Sequence, residues 1–108
     1  MMIDREFIKK LNDLGVLVTY EENQTKINED GSIELNKAYK IRYRNRCNYY
    51  GNMFFDLVNI NFTDGYAIPY ILKDIKEMPI SKIIEILKIV DEKVETINEE
   101  QERKCETH

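Results

Sequence analysis

Hydrophobic positions recur along this chain with two different periods. At the start, Ile3, Phe7, Leu11 and Leu14 stand four, four and three residues apart, with Ile8 alongside. That spacing puts them on one helical face. Asp4 suits an N-cap, Glu6 suits the positive end of the helix dipole, and Gly15 suits a C-terminal stop. The spacing therefore predicts a helix over about 4–14. Val16–Tyr20, β-branched and aromatic, predicts a strand. Glu22–Asn28 reads as polar loop, and Asn28–Ser32 as a turn around Gly31.

The period then drops to two. Ile33, Leu35, Tyr39, Ile41 and Tyr43 alternate with Glu34, Asn36, Lys40, Arg42 and Arg44. This is a strand with one apolar and one polar face. Lys37 interrupts the apolar register, which predicts a bulge or a frayed end there. Met53–Phe62 carries apolar residues on both faces and reads as a central strand. Asp64-Gly65 signals a tight turn. Tyr66–Ile68 follows as a short fourth strand, and Pro69 opens a short helix through Ile71, Leu72 and Ile75 that ends before Pro79.

The last element is the longest. Ser81 is placed to cap a helix running to about residue 103. Ile80, Ile83, Leu87, Val90, Val94 and Ile97 step by three and four, with Ile84 and Ile86 widening the stripe. A widened stripe suits packing on a sheet, whereas a narrow one suits a coiled-coil dimer. Beyond Ile97 the apolar positions stop, so 98–108 reads as a charged, partly disordered tail. The fold class expected is α+β: an antiparallel sheet of three to four strands with an N-terminal helix and a long C-terminal helix, in a single domain over 1–108.

Charge changes this picture at one place. The chain has 16 Lys and Arg against 20 Asp and Glu, a net charge of −4. Yet residues 35–55 hold five bases and no acid. Alternate side chains on a strand face lie roughly 7 Å apart, so Lys40, Arg42 and Arg44 form a row spaced for phosphates or carboxylates. Arg46, Tyr49 and Tyr50 follow them, the tyrosines suited to stacking or anchoring a partner. These six are the candidate partner-binding residues. The competing reading is a solvated strand face whose cations pair with acids elsewhere in the chain. Asp91, Glu92, Glu95 and Glu99 on the last helix form a second candidate surface.

Other chemistry finds little support. His108, the only histidine, is the last residue of the sequence. No phosphate-loop, dinucleotide or HExxH pattern is present, and the ligands for a zinc site are too few. No cofactor, metal or catalytic residue is expected, and the chain does not read as an enzyme. Cys47 and Cys105 fit no CxxC pattern, which suggests a reducing compartment. The start lacks the apolar run of a secretory signal, and no stretch is apolar enough to span a membrane. A cytoplasmic setting is expected.

In layout and charge over the whole chain (a helix, antiparallel strands, a helix, and a net acidic balance), the sequence resembles small phage-encoded anti-CRISPR proteins. The basic Lys37–Arg46 segment departs from a purely acidic mimic. The resemblance implies a non-enzymatic phage or mobile-element inhibitor that binds a host protein or ribonucleoprotein complex handling nucleic acid. Two alternatives come from the residues: a nucleic-acid-binding or transcription-regulating domain using strand 37–46, and a structural subunit that dimerises through the last helix.

Overall fold

The computed structural model describes residues 3–47, 51–72 and 78–106. Helix α1 (Arg5–Asp13) leads into strands β1 (Val16–Ile27), β2 (Ile33–Cys47), β3 (Gly51–Thr63) and β4 (Tyr66–Ile71), and helix α2 (Ile80–Glu106) closes the chain. The strands form one antiparallel sheet in the order β1-β2-β3-β4. The fold is α+β, as the two periods require. Both helices lie on the same face of the sheet, α1 against β1 and α2 against β4.

Helix α1 forms where its capping residues dictate. The Phe7 backbone N–H donates to Asp4 Oδ1 at 2.9 Å, and Gly15 takes a φ of +87° just past the C-cap Leu14. Phe7 and Leu11 are buried beneath it, and Ile3 joins them in the core. On α2 the buried positions are Ile86, Val90, Val94 and Ile97. These pack with Val16, Ile41, Tyr43, Leu57, Val58, Ile60 and Ala67 from the sheet. Val90, Val94 and Ile97, half of the stripe proposed for dimerisation, are therefore spent in the chain's own core. Ile80 and Ile84 point outward instead.

Several expectations are corrected. Glu22–Ile27 is strand, not loop, because it pairs with the start of β2 across the hairpin; a bulge falls between Gln24 and Lys26. Polar residues are tolerated there because this part of the hairpin reaches beyond the helices, where even Ile33 and Leu35 are exposed. The turn itself is as expected, with Gly31 at φ +88° and Asn28 N–H donating to Ser32 O at 2.8 Å. Lys37 causes no bulge, since the pairing of β2 with β1 runs unbroken through it, and on the other side it is the end residue of the pairing with β3.

Pro69 lies in β4 opposite Ile60 and opens no helix. The outward N–H of Ala67, two residues earlier, goes to Asn98 on α2. Pro69 shares that orientation on an edge strand, so its missing N–H removes no ladder bond. The remainder of the predicted short helix, including Ile75, lies outside the described residues. Ser81 is not the cap of α2, because the Pro79 carbonyl already accepts from Lys82 and Ile83 N–H. The helix runs past the expected end near residue 103 to Glu106, so 98–106 is helical and only its charged character matches the tail that was expected there. Asn98 Oδ1 accepts from Ala67 N–H at 2.7 Å and its Nδ2 donates to Ala67 O at 3.0 Å. Gln101 Nε2 donates to Asp64 O at 3.1 Å. These polar residues carry the packing contact onward after the apolar stripe ends.

Candidate protein-binding face

The register of β2 sends Tyr39, Ile41 and Tyr43 toward the helices and Lys40, Arg42 and Arg44 to the opposite face of the sheet. Among the described residues no element covers that open face. Its composition depends on an irregularity in β3. Ile41 pairs with Val58 but Arg42 pairs with Asp56, leaving Leu57 as an extra residue. Leu57 and Val58 are both fully buried in the core. Strict alternation would put Asp56 on the core side with Val58 and Ile60. The bulge instead turns Asp56 to the open face, opposite Arg42.

There Asp56 joins an ion-pair cluster. Arg42 Nε donates to Asp56 Oδ1 at 2.6 Å, and Arg42 Nη2 reaches Glu21 Oε1 at 3.2 Å. Lys40 Nζ lies 2.9 Å from Glu21 Oε2 and 3.8 Å from Asp56 Oδ2. All four side chains retain about a quarter to a third of their exposure, 23–32 %. The Lys40 ammonium bonded to Glu21, with the Arg42 charge behind it, holds that carboxyl below its ordinary range. Around this neutral centre stand exposed apolar groups: Leu17 from β1, Phe54 from β3, and Ile68 and Tyr70 from β4.

The basic row faces outward, and the competing reading of paired cations holds for two of its members. Lys40 and Arg42 are neutralised by acids from the two flanking strands, which a count along one strand cannot reveal. Arg44 is exposed opposite Phe54, and it makes no ion pair with the described residues. The side chain of Arg46 and all of Tyr49 and Tyr50 lie outside the described residues. Asp91, Glu92, Glu95 and Glu99 are exposed on α2. Glu92 lines a shallow groove between the helices together with Asp4 and Lys93, where Lys93 Nζ bonds Asp4 Oδ2 at 2.9 Å. Sequence reasoning missed Glu21, Asp56, Leu17, Phe54, Ile68 and Tyr70. The one available signal was Asp56, a lone acid interrupting the even apolar positions of β3.

At the far end of α2, burial first and then a hydrogen bond to Cys105 raise the pKa of the Tyr66 phenol. Among the described residues, no group of three or more His, Cys, Asp or Glu side chains is arranged to hold a metal ion. No described helix is long and apolar enough to cross a membrane. No family model, curated protein or solved structure matches this chain.

Proposed function

We propose that this chain is a non-enzymatic interaction protein that binds another protein through the open face of its sheet. The observation that carries the reading is the composition of that face. Its charges are compensated at the centre and its periphery exposes Leu17, Phe54, Ile68 and Tyr70, whereas an uncovered antiparallel face is ordinarily polar. Aromatic and aliphatic groups around a satisfied polar centre suit a protein partner. They do not suit a phosphate backbone, which requires uncompensated cations. In its finer form the proposal takes the partner to be a host protein or ribonucleoprotein complex that handles nucleic acid in the cytoplasm. Binding would inhibit it in the manner of anti-CRISPR proteins, with Asp91, Glu92, Glu95 and Glu99 as a second surface. The support for that form is the acidic balance and the helix–sheet–helix layout.

Photo-crosslinkers placed at Leu17 and at Tyr70, with Ile84 on the helical side as control, test the reading in the native host. Crosslinks to one protein from Leu17 and Tyr70 but not from Ile84 are expected. Crosslinking from Ile84 alone, or salt-sensitive binding to free nucleic acid without a protein partner, overturns it.

A further inference from the structure

Taking the protein-binding reading as its basis, we infer that one end of the open face receives an acidic segment of the partner, placing a carboxylate on Arg44 and an apolar side chain against Leu17 and Phe54. A hollow of about 270 Å³ lies there, lined by Asn12, Gly15, Val16, Leu17, Arg44 and Phe54. This is below the roughly 300–1,000 Å³ of pockets that enclose a small molecule. It fits one or two side chains. Among the described residues its wall holds Arg44 and no acid, so an incoming carboxylate meets attraction there.

The contrast along β2 fixes the chemistry. Lys40 and Arg42 are saturated by Glu21 and Asp56. Arg44, next on the same face, has no ion-pair partner among the described residues. A planar guanidinium is suited to two-point contact with a carboxylate. Phe54, 49 % exposed, and Leu17, 44 % exposed, supply the apolar part of the site. A nucleic-acid strand would offer anions in succession, whereas Lys40 and Arg42 are already bonded to Glu21 and Asp56.

The test is a titration of the isotope-labelled full chain, followed by amide NMR shifts. The probes are a short synthetic peptide alternating glutamate with leucine and phenylalanine, the same peptide with lysine for glutamate, and a single-stranded oligonucleotide. The acidic peptide is expected to shift Leu17, Arg44 and Phe54, and the lysine peptide to leave them in place. Arg44→Gln should weaken the acidic peptide roughly ten- to a hundredfold, the scale of one charged hydrogen bond. Because Arg44 makes no ion pair with the described residues, this variant should keep its melting temperature, which separates lost binding from lost structure. Equal binding by Arg44→Gln, shifts centred elsewhere, or preference for the oligonucleotide overturns the inference. If the peptide fails while crosslinks still map to Tyr70, the hollow is misassigned and the protein-binding face stands. If Leu17 and Tyr70 capture nothing, both readings fall.

Discussion

Arg42 and Asp56 meet across β2 and β3 at 2.6 Å only because Leu57 is an extra residue in β3. One inserted position thus fills the core with Leu57 and Val58 and places the acid that neutralises the basic strand. The fold's packing and the charge of its open face depend on the same bulge.

Asp56→Ala should therefore destabilise by about 1–2 kcal/mol, between the value of an exposed ion pair and the cost of breaking a buried one. It leaves Arg42 and Lys40 sharing Glu21 alone. Chemical denaturation measures the loss. The double variant Asp56→Ala with Arg42→Ala should lose less than the sum of the single changes, since the two act as a unit. Additive losses would show that the pair is not coupled.

Leu57 is packed on all sides, so Leu57→Ala should cost about 2–5 kcal/mol through the lost contacts and the cavity left behind. Deleting Leu57 removes the same buried side chain together with the extra position, so that Asp56 directly precedes Val58 and alternation alone keeps it opposite Arg42. The deletion variant should therefore lose stability through the emptied core yet keep the Arg42–Asp56 pair. A deletion variant with native stability would contradict the core role given to Leu57.

Acid should loosen the contact between the helices. Asp4 caps α1 through Phe7 N–H and also bonds Lys93 of α2; in that order, the two bonds hold its pKa below the ordinary 3.8. A depressed carboxyl contributes stability that is fully present above the unfolded pKa and is lost as pH falls through the folded value. Glu21, lowered from 4.5, has the same sign. Stability should be flat with respect to these groups at neutral pH and fall below about pH 4. Asp4→Asn keeps the cap but not the charge, and should flatten part of that slope in acid unfolding curves.

Asn98 fastens the edge strand β4 by engaging both peptide groups of Ala67. Asn98→Ala should cost about 1–3 kcal/mol, the penalty for leaving such groups unpaired. It should also speed hydrogen exchange at the Ala67 amide. Unchanged exchange would mean that the contact does not hold the edge.

The two sides of α2 should respond differently to substitution. Ile86→Ala removes a fully buried side chain and should cost about 2–5 kcal/mol. Ile84→Glu, on the exposed side, should stay within about 0.5 kcal/mol. It should leave the mass in solution unchanged, and a mass halved by this change would point to a dimer seam along Ile80 and Ile84.

Periodicity and turn residues determined most of the elements. The four, four and three spacing of Ile3, Phe7, Leu11 and Leu14 gave α1, the alternation from Tyr39 to Arg44 gave the two faces of β2, and Asp64-Gly65 gave the β3–β4 turn. These signals are local, set by side-chain geometry within a few residues. Only the tertiary structure decided which acids meet Lys40 and Arg42, because Glu21 and Asp56 lie on different strands, far away in sequence. It also decided that Glu22–Ile27 pairs and that Pro69 is tolerated in an edge strand. Sheet register and a one-residue bulge, which involve more than one strand at a time, set the charge that the open face presents.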